Sequence, residues 1–320
     1  MRPARPWHTL DMLIPAWLPS SPPPPRMVAQ VARPMQQSPL ELSPAPRGFA
    51  PVDDLDGSLN YSGTNYLCKR LAFANVQVVA VRHGQAESNA QSEALGQPLL
   101  YGQSESPLTE KGRQQARDCA SKLYEQLGGS QWLNEALQDP SRLPVLVSSD
   151  VSRAVDTATI LKTGLADEAE RLQGPEGRKI IEEQLLVLSD PRLRETNFGR
   201  FETRPLAELQ NAYPDFVSHW RPSQGMGTDF RHRFPGGESR ADVMKRVGNF
   251  LDGCCLRFPG KTVIMVSHGE TLLSTRALLG KAPVQGGKVA AETGAIPNAT
   301  PFWLVQERLP AYQSCPHDLD

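Results

Sequence analysis

The chain has few cysteines and no pattern among them. Cys68, Cys119, Cys254, Cys255 and Cys315 are odd in number and scattered, with no CxxC pair and no zinc-like spacing. A disulfide framework is therefore not expected, and the thiols read as reduced core or surface groups. An excess of charge is also missing: 34 Lys+Arg stand against 35 Asp+Glu, for a formal net charge of −1. A protein that coats nucleic acid or an anionic membrane usually carries a basic surplus, so neither partner is expected. No apolar run approaches the roughly 20 residues needed to span a bilayer. There is no internal repeat, and nothing in the composition speaks to oligomeric state. What remains is a 320-residue chain, long enough for one large domain or two small ones with a sizeable core.

Proline is plentiful but uneven. Of 29 prolines, thirteen lie in the first 51 residues, including the run Pro22 to Pro25. Proline removes backbone donors and locks φ, so such a stretch stays extended and unpacked. Residues 1–70 are accordingly expected to be a disordered or loosely attached extension, residues 71–310 the folded domain, and residues 311–320 a C-terminal tail. In the first 50 residues Asp11 and Glu41 face five arginines. That bias resembles an organellar transit peptide, which would send the protein to a plastid or mitochondrion. The other reading is a non-targeting tail on a cytoplasmic protein. A secretory signal fits less well, because the apolar run Met12 to Leu18 is short and broken by Pro15.

From about residue 75 the pattern changes. Val76–Val81, Leu143–Val147 and Thr262–Val266 are short β-branched runs suited to buried strands. Phe302–Val305 is a fourth candidate, and Ile180–Leu188 another. Between them lie helical stripes. Ala116, Cys119, Ala120, Leu123, Tyr124 and Leu127 share one face, with Thr109 as N-cap and Gly128-Gly129 as the stop. Val243, Val247, Phe250, Leu251 and Cys254 form a second stripe, capped by Ser239. Val151, Ala154, Ala158 and Leu161 form a third, and Leu272–Leu279 a fourth that ends at Gly280. Strands alternating with helices imply an α/β fold, a mostly parallel sheet covered on both faces.

In such sheets ligands bind beyond the carboxyl ends of the strands. Arg82-His83-Gly84 follows the first run, Ser148-Ser149-Asp150 and then Arg153 the second, and Ser267-His268-Gly269 the third. Either histidine alone reads as an ordinary packed residue; two strand-His-Gly units with arginines beside them do not. Guanidinium forks match phosphate oxygens, and helix N-termini add backbone donors. Glycine after each histidine would let an anion approach the backbone. One histidine could then attack phosphorus as a nucleophile. A metal centre is the weaker reading, since the pocket is already cationic and no His-x-x-x-His or carboxylate cluster is present. A leaving alkoxide needs a proton. Glu195, in Leu193-Arg194-Glu195-Thr196-Asn197-Phe198-Gly199, is one candidate donor, and on composition Glu202 is its equal.

These residues bring a family into view. Arg82-His83-Gly84-Gln85-Ala86-Glu87-Ser88-Asn89 resembles the R-H-G-x-x-x-x-N signature of the histidine phosphatase superfamily, the phosphoglycerate mutase-like proteins. Pro107 to Gly112, Ser148 to Ala154, Leu193 to Gly199, Phe234 to Ser239 and Val266 to Gly269 resemble five further family motifs in the family's order, over about residues 76–308. The resemblance implies a three-layer αβα sandwich and a phosphohistidine mechanism without cofactor or metal. His83 would be the nucleophile. Arg82, Arg153 and His268 would hold the phosphate, with Asn89, Gly84 and Gly269 beside it. Glu195 would be the proton donor, which settles the choice against Glu202. Ala86 stands where cofactor-dependent mutases usually carry serine. Only residues 200–234 separate the acid loop from Pro235, where mutases have a long insert. Both features bring the chain closer to the phosphatase branches. The expected activity is hydrolysis of phosphate monoesters, on a small-molecule or phosphoprotein substrate. A phosphoglycerate mutase and a non-catalytic phospho-ligand binder are the alternatives. Arg231-His232-Arg233 offers either a second anion contact or a solvated basic loop. Gly260-Lys261-Thr262 imitates the end of a P-loop, but Cys255 occupies its first glycine position and a strand follows it. Asn60-Tyr61-Ser62 and Asn298-Ala299-Thr300 match a glycosylation pattern that is common by chance.

Overall fold

The computed structural model describes residues 61–214, 228–229, 232–280, 284–285, 288–289 and 296–306. The Pro-rich extension up to residue 60, Arg231 and the 311–320 tail lie outside the described residues, as do the targeting signal and Asn60.

Five strands form the central sheet: β1 (Gln77–Arg82), β2 (Val145–Ser148), β3 (Val187–Ser189), β5 (Thr262–Ser267) and β8 (Pro301–Val305), in the order β3-β2-β5-β1-β8. The first four run parallel, and β8 is antiparallel on the β1 edge. Three short strands, β4 (Thr228–Asp229), β6 (Val284–Gln285) and β7 (Lys288–Val289), pair separately and antiparallel. The β-branched runs stand where both sheet faces are covered, which is why they read as continuous apolar stretches.

Alternation along the strands divides the core in two. Val78, Ala80, Val145, Val147, Val263 and Met265 point to one face. There they meet helices α1 (Tyr61–Phe73), α7 (Arg240–Arg257) and α8 (Gly269–Leu278). Val79, Val81, Leu146, Ile264 and Val266 point to the other. That face is covered by α3 (Glu110–Leu127), α4 (Gly129–Gln138) and α5 (Ser152–Gln184). The result is a three-layer αβα sandwich. Two short helices, α2 (Glu87–Leu95) and α6 (Leu206–Ala212), lie outside these layers.

The capping residues act as expected. Thr109 accepts from the Gly112 N–H at the start of α3, and Ser239 and Asp242 form a capping box on α7. Gly128 ends α3 at φ 116°, a conformation that favours glycine, but Gly129 already begins α4. The expected strand over Ile180–Leu188 is half helix: Ile180–Gln184 close α5, and the strand is Val187–Ser189. Residues 61–70, grouped by composition with the extension, instead belong to α1. Leu67 and Leu71 are buried under β1 and α7, and Arg70 pairs with Asp252 at 2.8 Å. The folded unit therefore begins earlier than the proline boundary suggests. Leu71→Ala should cost roughly 2–5 kcal/mol in urea unfolding, as for other fully buried leucines. A change under about 0.5 kcal/mol would mean that α1 is dispensable.

Candidate active site

The carboxyl ends of β1, β2 and β5 lie side by side at the centre of the sheet, and the residues leaving them converge. His83 and His268 are both buried, with ring centroids 5.0 Å apart. The His83 Nδ1–H donates to the Gly84 carbonyl at 2.7 Å, which leaves the lone pair on Nε2. The Arg153 Nε–H points at that Nε2 from 3.3 Å, as only an unprotonated nitrogen allows. Burial, reinforced by Arg153 and Arg82, holds the His83 pKa well below the ordinary imidazole value. His83 is thus neutral and held in one orientation, with its lone pair on Nε2. His268 is also held neutral by burial and by Arg153. Neither of its ring nitrogens has a hydrogen-bond partner, although both are buried. A neutral imidazole has one N–H, and an unpaired one beside two guanidiniums suits an arriving oxyanion.

Arg153 is almost wholly buried, and three of its five N–H donors are placed. Besides Nε, it donates to the carbonyls of Gly102 at 2.7 Å and Ser104 at 3.0 Å. Arg82 donates to the Ile296 carbonyl at 2.7 Å, and its buried Nε has no partner. Both guanidiniums remain cationic despite their burial.

Glu195 completes the group. Its Oε1 accepts from the N–H groups of Thr196 at 2.9 Å and Thr271 at 3.0 Å, and its Oε2 from Glu270 N–H at 3.1 Å. The N-terminus of α8 therefore holds this carboxylate, not an incoming anion as expected from the sequence. Burial, and then repulsion from Glu270, outweigh those hydrogen bonds and raise the Glu195 pKa. A carboxyl group that keeps its proton longer than usual is fit to donate one.

The flanking residues have more local tasks. Asn89 Oδ1 accepts from Ala86 N–H, capping α2. Gly84 gives its N–H to Thr157, and a Cβ there would sit 2.3 Å from the Gly112 carbonyl oxygen. Close packing of the segment after β1 against α3 by itself demands that glycine. A Cβ on Gly269 would touch the Arg82 guanidinium at 3.6 Å and Glu195 Oε2 at 3.8 Å, so this glycine does border the pocket. Arg233 pairs with Asp242 at 2.5 Å.

Several residues that position the site were not singled out in the sequence. Arg246 donates to the carbonyls of Arg192 at 2.6 Å and Glu195 at 3.1 Å, and it pairs with Glu238. Glu238 in turn accepts from Asn197 N–H. Arg194 grips Asp150 through two hydrogen bonds of 2.7 and 2.6 Å. Asn298, part of the apparent glycosylation pattern, donates to the His83 carbonyl at 2.7 Å. Asp150, Arg194 and Glu238 fall inside the family-like motifs, which was the available signal; Arg246 and Asn298 fall outside them.

Among the described residues, no group of three or more His, Cys, Asp or Glu side chains could hold a metal ion, and no helix is long and apolar enough to cross a membrane. A polar cleft of about 730 Å³ opens at the opposite end of the sheet, around Gln77, Thr262, Trp132 and Trp303. It contains none of the expected site residues.

An α/β sandwich with two imidazoles, two guanidiniums and a buried carboxyl group at its central strand ends belongs to the histidine-dependent phosphoryl-transfer enzymes. The chain is a member of the histidine phosphatase superfamily, branch 1, whose family model matches residues 78–174 and 178–296. It is 33% identical over 211 residues to the probable phosphoglycerate mutase GpmB of Yersinia enterocolitica, covering 65% of this chain and 77% of that one. It is 32% identical over 197 residues to the protein of the same name in Cronobacter sakazakii, covering 62% and 71%. Among solved structures, "Mycobacterial hydrolase 1" superposes with a TM-score of 0.51 at 27% identity, over 73% of this chain and 91% of that one. Bacillus stearothermophilus YhfR, at 20% identity and a TM-score of 0.50 over 73% and 98%, shares the fold.

Proposed function

We propose that the protein is a metal-independent phosphatase that hydrolyses phosphate monoesters through a phosphohistidine at His83. The observation that carries this reading is the neutral His83 ring, with Nδ1–H held by Gly84 and the Nε2 lone pair turned towards Arg153 beside Arg82 and His268. The Nε2 lone pair attacks phosphorus, the ester P–O bond breaks, and the leaving oxygen takes the Glu195 proton. The Glu195 carboxylate then accepts a proton from water as the water oxygen attacks phosphorus. The P–N bond breaks and its electron pair returns to Nε2. Arg82, Arg153 and His268 hold the phosphoryl oxygens throughout, so charge neutralisation and alignment come from the protein itself. The match to a solved hydrolase supports hydrolysis, as does the short 200–234 segment, which leaves less chain to exclude water.

The names of the relatives favour a second reading, transfer of the phosphoryl group between positions of a phosphoglycerate. One pair of assays separates the two. Phosphate release from p-nitrophenyl phosphate should persist in EDTA and exceed any isomerisation of 3-phosphoglycerate. Isomerisation that outpaces phosphate release and depends on a bisphosphate primer would overturn the phosphatase reading. A protein that binds phosphate esters without turning them over would reduce the site to a receptor.

A further inference from the structure

Glu202 was the carboxylate that composition could not distinguish from Glu195, and the fold turns it to a different task. It follows the acid loop and faces the irregular segment after Tyr101. Its Oε2 accepts from Gly102 N–H at 3.0 Å and from the Ser104 hydroxyl at 2.9 Å. Its Oε1 accepts from Gln103 N–H at 3.1 Å and from Phe198 N–H at 3.1 Å. Four donors from two separate loops thus converge on one carboxylate. The same three-residue segment presents the Gly102 and Ser104 carbonyls to the terminal nitrogens of Arg153, whose Nε–H meets His83 Nε2. Gln103 also donates to the Glu195 carbonyl at 3.2 Å. The approach is tight: a Cβ on Gly102 would lie 2.1 Å from the Thr196 carbonyl oxygen and 2.2 Å from Glu202 Oε1.

We propose that Glu202 is a positioning residue, a strap that fastens the 102–104 segment so that its carbonyls hold the Arg153 fork against His83. Segment 102–104 forms no helix or strand, so its geometry depends on what it is tied to. Arg153 needs two carbonyls at fixed places, because a guanidinium is rigid and planar. The same carboxylate holds the Phe198 amide, so it also sets the spacing between the phosphate-binding arginine and the acid loop. The inference rests on the phosphoryl-transfer reading of the pocket, since it concerns how that pocket is aimed. An amide at position 202 keeps one acceptor oxygen and turns an NH2 group towards two of the four donors, which leaves them unpaired.

The test is a double-mutant cycle read by orthovanadate binding in calorimetry and by kcat and KM for p-nitrophenyl phosphate. Glu202→Gln should weaken vanadate about 10- to 100-fold and raise KM, as for a lost charge-assisted hydrogen bond, with the fold retained by circular dichroism. In an Arg153→Lys background, which cannot make the fork, the same change should cost less than about twofold more. Equal losses in both backgrounds, or unchanged vanadate binding in a folded Glu202→Gln protein, would overturn the proposal. If Glu202→Gln does not fold, Ser104→Ala removes one donor only and should weaken vanadate in the Arg153 background alone. No change with Ser104→Ala would then overturn it. Wild-type protein that binds no vanadate would defeat the phosphoryl-transfer reading instead, before Glu202 is tested.

Discussion

His83→Ala should abolish the phosphoenzyme and lower kcat by on the order of 10⁴- to 10⁶-fold, as for loss of a covalent nucleophile. Wild-type protein quenched rapidly with a labelled ester should yield an acid-labile, base-stable phosphoprotein, the signature of a P–N bond. His83 is the proposed nucleophile because its Nδ1–H is committed to the Gly84 carbonyl, which leaves Nε2 to attack. His268 has no such commitment, and both of its nitrogens lack partners. His268→Ala should therefore slow formation of the phosphoenzyme without removing it. The attacking ring must be neutral, so activity should fall as pH drops through the His83 pKa. Burial and Arg153 hold that pKa well below the ordinary imidazole value. Activity should thus persist into acid where an exposed histidine would already be protonated. Label that survives in His83→Ala would place the nucleophile elsewhere.

Glu195→Gln should slow hydrolysis of esters with poor leaving groups by roughly 10²–10⁴-fold, the usual worth of general acid–base help. Esters with good leaving groups need no proton in the first step, so formation of their phosphoenzyme should be affected much less. The pH dependence carries the opposite sign to that of His83. The donor must be protonated, so activity towards poor leaving groups should fall as pH rises through the Glu195 pKa. Burial and Glu270 raise that pKa above the ordinary carboxyl value, which extends the active range upwards. In Glu195→Gln that basic limb should disappear. An equal loss for good and poor leaving groups in phosphoenzyme formation would show that Glu195 positions the ester and does not donate to it.

Much of this was legible in the sequence because it is local. The strands at Gln77–Arg82 and Thr262–Ser267 announce themselves through β-branched runs, and the caps Thr109 and Ser239 through short-range hydrogen bonds. The paired strand-His-Gly units at His83 and His268 point to a shared edge because parallel strands align their carboxyl ends. Other features depend on neighbours that local periodicity cannot name. Helix α1 was hidden because prolines just upstream coloured the composition, while its burial depends on contacts between Leu71 and the sheet. The packing demand on Gly84 was invisible because the close approach comes from Gly112 on another element. Glu195 and Glu202 are alike in composition and separate only in space. One lies buried against the first N–H groups of α8, where desolvation raises its pKa. The other is surrounded by the donors of segment 102–104, about 100 positions away in the chain. Hydrogen-bond partners and dielectric surroundings are set by packing between distant segments. Local pattern therefore names the candidate groups, and the assembled fold gives each carboxylate its surroundings.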